Sequence, residues 1–354
     1  MPRPTRSDEI DAALLRVVGE HPRDLNSMVA AQLGLSRARV NTQVRALVEG
    51  GYLRSSGGTR PTYALGPHRR FSREYLLDGL AEDRVWFADL QPLLSVLPRN
   101  VLDIAHHGVT EMVNNTVDHS DGRSVEVRMD LDGERLLLAV SDDGVGIFRK
   151  ITRALALPDE RLALLELSKG KLTTDPTRHS GEGIFFTSRA FDRFQIQSGG
   201  LFFDHDHRED DDWLDELDAQ PAGQGTAVYM EIARDSSRQI GAVFDAYSSG
   251  PDDYDFARTV VPVRLARVGD ESLVSRSQAK RLLQRVERFR IVMLDFAEVS
   301  GVGQAFADEI FRVFANAHPQ VELQAIHAVP AVQQMIRRAE AARDAGAGQL
   351  PLLP

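Results

Sequence analysis

The first part of the chain alternates between helical and strand-like spacing of apolar residues. Ile10, Leu14 and Val18 recur at helical intervals. A second short helix is predicted over residues 26–33. The turn at Gly34 separates it from a third helix over residues 36–47, before strand-like runs at residues 52–54 and 62–65. The pattern predicts three helices and a β-hairpin within residues 1–66.

The central part mixes one long helix with several strands. Apolar spacing predicts the helix over residues 101–118, followed by a hairpin whose strands cover residues 125–129 and 135–140. Residues 67–98 are interpreted as a connecting region that is partly helical. The other elements predicted here are helices over residues 159–167 and 184–191 and strands over residues 194–203 and 226–232.

The last third alternates strands and helices, which predicts a small α/β domain over residues 255–340. The tail, residues 345–354, is expected to be disordered. The fold class is therefore α/β and multidomain, with a connecting region at residues 67–98 and a central domain at residues 99–235. The elements predicted in the last domain are strands over residues 259–265, 291–294 and 321–325 and helices over residues 278–289, 304–315 and 331–342.

Composition narrows the classes of function. The chain has 354 residues, enough for two or three domains, and it has no cysteine, so disulfides and thiolate metal sites are excluded. Its formal net charge is −10, yet residues 1–66 carry nine Arg and six Asp or Glu, a local net of +3. That local charge is compatible with nucleic acid. No apolar run is long enough for a membrane span, and we expect a cytoplasmic protein.

Four short segments carry residues suited to a nucleotide. Glu111 and Asn115 are four apart and share one face of the predicted helix. A carboxylate there can position water, and an amide oxygen can ligate Mg²⁺. Asp142 follows a strand and can accept a hydrogen bond from an exocyclic amine. Gly144 and Gly146 let the backbone approach a ligand closely.

The other two segments suit phosphate and the ligand's edge. Gly181 and Gly183 open a helix, where backbone N–H groups and the helix dipole favour phosphate. Thr226 follows a Gly-rich turn and begins an apolar strand. Between these segments lie cations that are candidates for the γ-phosphate. They are Lys169, Lys171, Arg178 and His179.

Together the four segments resemble the N, G1, G2 and G3 boxes of the GHKL ATPases, a superfamily that includes DNA gyrase, histidine kinases and anti-sigma-factor kinases. The resemblance covers residues 99–233 and implies a Bergerat α/β sandwich that binds ATP and Mg²⁺. It implies that Glu111 is the general base, Asn115 the Mg²⁺ ligand and Asp142 the adenine contact. It also places Gly144 and Gly146 at the base and lid hinge, Gly181 and Gly183 at the phosphates, Thr226 near adenine and Lys171 in the ATP lid.

The N-terminal pattern resembles a winged helix-turn-helix, in which the third helix enters the major groove of DNA. Wing residues would meet phosphates or the minor groove. The alternative is a protein-interaction module with an ordinary charged helix. The residues implied to contact DNA are Arg37, Arg39, Asn41, Thr42 and Arg45 on the helix and Arg54 and Arg60 on the wing.

The C-terminal pattern is similar to STAS domains, the fold of anti-sigma-factor antagonists, over residues 255–340. Gln304 stands where those antagonists carry a phosphorylatable serine, so the resemblance implies a docking domain for a protein partner. The whole chain is interpreted as an ATP-responsive, DNA-binding transcriptional regulator with weak or no ATPase activity, and as a candidate homodimer. The alternatives are a protein serine kinase related to anti-sigma-factor kinases and an ATP-gated interaction protein.

Overall fold

The computed structural model describes residues 5–172, 181–207, 211–216, 225–250, 253–267 and 271–347. The chain divides into two units, each built from several stretches of sequence. The first contains the N-terminal helices and the central sheet; the second contains the C-terminal domain and the helices that precede and follow the predicted lid. The first unit is Met1–Ile147, Thr187–Arg208 and Trp213–Gln239, and the second is Phe148–Phe186, Glu209–Asp212 and Ile240–Pro354.

The N-terminal region has the predicted three helices and hairpin. Thr5 caps the first helix, because its hydroxyl accepts from the backbone N–H of Asp8 at 3.3 Å. Gly34 ends the second helix with φ of +64°, which makes the turn before the third. The elements are α1 (Arg6–Val17), α2 (Leu25–Leu33), α3 (Arg37–Glu49), β1 (Leu53–Ser56) and β2 (Thr62–Leu65).

A seven-stranded sheet forms the centre of the first unit, in the order β3-β4-β5-β9-β6-β7-β8. The buried side chains of β4 alternate with half-buried ones, as expected for a strand with one face against a core. The strands are β3 (Arg69–Leu76), β4 (Ser124–Leu131), β5 (Arg135–Asp142), β6 (Arg193–Ser198), β7 (Leu201–Asp206), β8 (Asp211–Glu216) and β9 (Thr226–Ala233).

Two predictions for this region were wrong in detail. The connecting region contains β3, which pairs antiparallel with β4 from Arg69 opposite Leu131 to Leu76 opposite Ser124. Its charged, weakly alternating sequence hid the strand. The single strand predicted over residues 194–203 is a hairpin of β6 and β7, because Gly199 and Gly200 both have positive φ. The connecting region also contains three helical stretches: α4 (Glu82–Arg84), a π-helical stretch (Val85–Leu90) and α5 (Gln91–Leu94).

The long predicted helix is α6 (Arg99–His119), and it packs on β5 and β9. Gly108 faces Phe191 and Met230; a Cβ at this position would lie 2.5 Å from the Phe191 ring. The missing side chain therefore lets the helix lie close to the sheet. The buried residues of the helix are Val101, Ile104, Ala105, Gly108, Val109, Met112, Val113 and Thr116.

The second unit contains a three-stranded parallel sheet in the order β12-β13-β14. Its first strand ends at Pro262, before the predicted end, because a 3₁₀ turn begins at Val263. The strands are β10 (Ser248–Gly250), β11 (Asp253–Phe256), β12 (Arg258–Pro262), β13 (Ile291–Asp295) and β14 (Glu322–Ile326).

In this unit α8 packs against β12, and Phe185, Phe186, Tyr247 and Phe256 form an aromatic cluster. The last helix continues to Ala347, into the predicted tail, and residues 348–354 lie outside the described residues. No helix in the described ranges is long and apolar enough to cross a membrane. The helices are α7 (Ile147–Ala154), α8 (Arg161–Lys169), α9 (Gly183–Ala190), α10 (Ile240–Tyr247), α11 (Arg276–Leu283), α12 (Gln304–Asp308), α13 (Ala315–Ala317) and α14 (Pro330–Ala347).

Candidate functional site

Asp142 is at the end of β5, where its carboxylate joins two parts of the first unit. Its Oδ1 accepts from the backbone N–H of Gly144 at 2.9 Å and of Thr226 at 3.2 Å. Burial raises the pKa of Asp142, although these two donors oppose the shift. Its Oδ2 has no hydrogen-bond partner among the described residues, so it is available to accept from a ligand.

The turn after Asp142 lies against the C-terminal end of α6. The backbone N–H of Val145 donates to the carbonyl oxygen of Ser120, which follows the helix, at 2.9 Å. A Cβ on Gly144 would lie 2.1 Å from that oxygen, so only glycine fits there. Gly146 follows with φ of +91°. A side chain at Gly144 would therefore prevent the backbone from following this turn.

Thr226 connects the turn to the start of β9. Its hydroxyl accepts from the backbone N–H of Ile147 at 2.9 Å. Beside it, the buried Ser198 donates to the carbonyl oxygen of Gly225 at 2.9 Å. Ser198 was not among the predicted site residues, and only its buried position at a strand end opposite Thr226 identifies it.

Glu111 and Asn115 are both half-buried on α6, and Asn115 precedes Ser120 by five residues. The helix thus brings Asn115 toward the same end as the Asp142 turn. The amide nitrogen of Asn115 is buried and has no hydrogen-bond partner within the described part of the chain. Buried polar atoms are nearly always paired, so this N–H donor is suited to an acceptor atom of a ligand, such as a phosphate oxygen. Mg²⁺ would instead need the amide oxygen.

Lys171, Gly181 and Gly183 belong to the second unit. The backbone N–H of Leu172 donates to the carbonyl oxygen of Gly181 at 3.0 Å, and Gly183 begins α9. The Lys171 ammonium lies 5.1 Å from the ring centroid of Phe289 and 5.5 Å from that of Phe256. Other predicted lid and turn residues, Arg178, His179, Gly223 and Gln224, lie outside the described residues.

Lys169 does not have the phosphate-facing position considered for it. Its side chain is 2% exposed, and its ammonium donates to Glu166 Oε1 at 2.6 Å. Two further acceptors are the carbonyl oxygens of Arg281, at 3.2 Å, and Gln284, at 2.9 Å. Three acceptors saturate the three N–H donors of an ammonium. The prediction that Lys169 is a candidate for contact with the γ-phosphate is therefore wrong.

The third helix of the N-terminal domain presents the predicted DNA-contacting residues to solvent. Ser36 caps α3 by accepting from the N–H of Arg39 at 3.4 Å, while Val40, Val44 and Leu47 face the core. Three of the predicted residues have intramolecular bonds: Asn41 accepts from Asn26, Thr42 donates to Ala38 O, and Arg54 donates to Leu65 O. The exposed residues are Arg37, Arg39, Asn41, Thr42, Arg45, Arg54 and Arg60.

Comparisons with protein families agree with this organisation. Residues 12–57 match the IclR helix-turn-helix domain, residues 77–201 the histidine kinase-like ATPase domain, and residues 278–333 a STAS-like domain of unknown function. The predicted order of these three domain types is confirmed. Thr226 lies outside the ATPase match. A search of curated proteins found no match to the chain.

Proposed function

We propose that the chain is a DNA-binding transcriptional regulator whose central domain binds Mg²⁺-ATP as a switch. The premise is the combination of a helix-turn-helix domain with a histidine kinase-like ATPase domain. In this proposal ATP binding changes the conformation of the lid, and the helix-turn-helix domain delivers the response to DNA. The STAS-like domain docks a protein partner, and two copies of the chain bind two DNA half-sites.

The observation that carries the ATP assignment is that the two oxygens of the Asp142 carboxylate have different roles. Oδ1 is held by the N–H groups of Gly144 and Thr226, which fixes the orientation of the whole group. Oδ2 is left as an acceptor, as required for the exocyclic amine of adenine. Thr226 would contact the same edge of the base, and Gly146 would continue the turn toward the lid.

We assign the catalytic and phosphate-binding roles to residues on the helices and the lid. Asn115 would hold Mg²⁺ through its amide oxygen, and the ion would neutralise phosphate charge when bound. Glu111, on the same face of α6, would position a water and accept its proton if ATP is hydrolysed. Gly181 and Gly183 would offer backbone N–H groups to phosphate at the start of α9. Lys171 remains a candidate phosphate contact, although its ammonium lies beside two aromatic rings.

Paired substitutions at adjacent carboxylates test the adenine contact. Asp142→Asn keeps Oδ1, so the turn is preserved, but it replaces the free acceptor with an NH₂ group. We expect affinity for a non-hydrolysable ATP analogue, measured by calorimetry, to fall by about 30-fold or more. Asp143→Asn is the matched control, because Asp143 Oδ1 accepts from the N–H groups of Arg123 and Ser124 and is kept in the amide. Equal affinity in both variants would remove the assignment.

Binding of duplex DNA tests the second half of the proposal. The side chains of Arg39 and Arg45 are exposed and make no ion pair or hydrogen bond with any residue that the structure describes. Arg45→Ala should weaken binding and lower the slope of log K against log salt by about 1 if it contacts a phosphate. Arg16→Ala removes an exposed arginine from α1 instead and should leave binding unchanged. Absence of binding to any duplex at low salt would contradict the proposal.

A further inference from the structure

Three arginines meet where the wing of the N-terminal domain joins the central sheet. Arg54 lies on β1, Arg69 begins β3 and Arg234 follows β9. Arg54 Nε donates to the carbonyl oxygen of Leu65 at 3.2 Å. Arg69 Nη1 donates to the carbonyl oxygen of Gly66, the next residue. The guanidinium groups of Arg54 and Arg69 are therefore held on consecutive carbonyls.

Arg234 joins them through the hairpin between β4 and β5. Its Nη1 donates to the carbonyl oxygen of Asp132 at 3.3 Å, and the preceding residue, Leu131, is paired with Arg69. Burial lowers the pKa of Arg69, and the charges of Arg54 and Arg234 lower it further. The three groups are therefore close enough to repel one another, and we call them the arginine cluster. All of them lie within one unit of the chain.

No member of the arginine cluster forms an ion pair with a carboxylate in the part of the chain that the structure describes. Two neighbouring arginines differ in this respect, since Arg70 pairs with Asp130 at 2.9 Å and Arg135 with Glu231 at 3.1 Å. Carbonyl oxygens satisfy N–H donors but carry no net charge, so the positive charges of the cluster are not cancelled. Like charges held together are unfavourable without a counter-ion, so the cluster is suited to an anion.

The place of the cluster in the fold favours the DNA backbone as that anion. Arg60 is at the wing tip between β1 and β2, Arg54 is nearer the other end of the hairpin, and Arg69 follows on β3. Arg54 is exposed, and Arg69 and Arg234 are half-buried, so all of them are accessible to solvent. Because phosphates repeat along a duplex, arginines in such an order can bind several phosphates at once.

We propose that Arg69 and Arg234 extend the DNA-binding surface of the wing onto the central sheet, where with Arg54 they bind backbone phosphates beside the contacts of α3. The inference rests on the proposed function, which places DNA on the helix-turn-helix domain. Both residues lie outside the ranges that match the helix-turn-helix and ATPase domains. Such contacts carry no sequence information directly, but they add affinity and fix the orientation of the chain on the duplex.

The experiment measures binding of the full chain to a mixed-sequence duplex of about 40 base pairs over a series of NaCl concentrations. Arg69→Gln and Arg234→Gln should each reduce the steepness of log K against log salt by about 1, because each removes one phosphate contact. Arg69→Lys and Arg234→Lys keep the charge and should restore most of the steepness. Arg234→Gln is the sharper test, because the hydrogen bonds of Arg234 to described residues of this region are with the central hairpin, at Asp132 and Glu134, and not with the wing.

The matched control is Arg135→Gln, which changes the net charge equally at an arginine already paired with Glu231. It should leave the steepness unchanged, and an equal loss in this control would overturn the inference as a general effect of charge. Unchanged steepness in Arg69→Gln and Arg234→Gln, while Arg45→Ala reduces it, would overturn the inference and leave the proposed function standing. Stabilisation by inorganic phosphate that Arg69→Gln abolishes, without any effect on DNA, would assign the cluster to a small anion and also overturn it. If the unmodified chain binds no duplex, the proposed function fails, and this inference fails with it.

Discussion

The two flanking domains join the central domain in different ways. The winged helix is joined to the edge strand β3, where Arg70 donates to Asp130 at 2.9 Å and to the Tyr52 hydroxyl at 3.0 Å. The STAS-like domain is joined to the end of α8, where the Lys169 ammonium is bonded to the carbonyl oxygens of Arg281 and Gln284. The Arg70 side chain is 38% exposed, whereas that of Lys169 is 2% exposed. The Arg70 junction is therefore exposed to solvent, and the Lys169 junction is buried.

This difference separates an exposed junction from a buried one. The Arg70 junction holds the helix-turn-helix domain on the edge strand of a seven-stranded sheet. The Lys169 junction holds the end of α8 on the STAS-like domain. Water and salt weaken the first junction, while the buried second junction is hardly screened. The predictions below test that contrast from the largest effect to the smallest.

Removing the buried ammonium should have the largest effect on stability. Lys169→Met leaves the carbonyl oxygens of Arg281 and Gln284 without their donor and leaves Glu166 with Arg285 alone. We expect the free energy of unfolding to fall by about 3 kcal/mol, measured by urea denaturation. Lys280→Met, at a side chain 70% exposed, should change it by less than about 0.5 kcal/mol. A similar small loss in both variants would show that burial does not distinguish the junctions.

Removing the exposed guanidinium should have a smaller effect that depends on salt. Arg70→Met loses the contacts to Asp130 and Tyr52 and the stacking over the Tyr52 ring, whose centroid is 4.3 Å from Arg70 Cζ. The expected loss is about 1 kcal/mol at low salt, and less at 1 M salt. Arg99→Met, at a side chain 89% exposed, is the control and should be neutral. A loss independent of salt would contradict the description of this junction as solvent-screened.

The smallest expected effect is a pH dependence at the open junction. Burial raises the pKa of Asp11 to about 6, although Arg70 opposes the shift from 3.4 Å, and Asp8 adds to it. The folded state therefore retains a proton between about pH 4 and 6, and stability decreases as pH rises through that range. Asp11→Asn removes this dependence, so its melting temperature should rise relative to the original chain by about 2 °C from pH 4 to 6. A constant difference would contradict the raised pKa.

Local sequence patterns predicted the helices and strands that bury an apolar face. They did not predict the strand that forms only by pairing with its neighbour. The helix α6 and the strands β4 and β5 have regular apolar spacing, so they were predicted close to their observed bounds. The edge strand β3 was not, because half-buried charged residues cover it and only its pairing with β4 makes it a strand. Strand propensity depends on such context more than helix propensity does.

In the candidate site, too, local sequence patterns did not predict contacts between residues that are far apart in the sequence. Glu111 and Asn115 were predicted together because helical spacing places them on one face, and Asp142 was predicted because a glycine turn follows it. The bonds from Lys169 to Gln284 and from Arg70 to Asp11 join residues 115 and 59 positions apart. No local pattern carries such a contact, and an isolated lysine in a predicted lid suggests phosphate rather than a distant helix end. Only the tertiary structure reveals that partner.

The position of Lys169 also determines how the molecule can be divided for experiments. A chain ending near residue 240 would retain α8 but lose Thr259, Phe256 and the end of α11. The Lys169 ammonium and the Glu166 carboxylate would then face water. The rings of Phe185 and Phe186 would lose Tyr247 and Phe256 as neighbours. We expect the central domain expressed alone to be prone to aggregation, so a preparation for experiments should include the carboxy-terminal third.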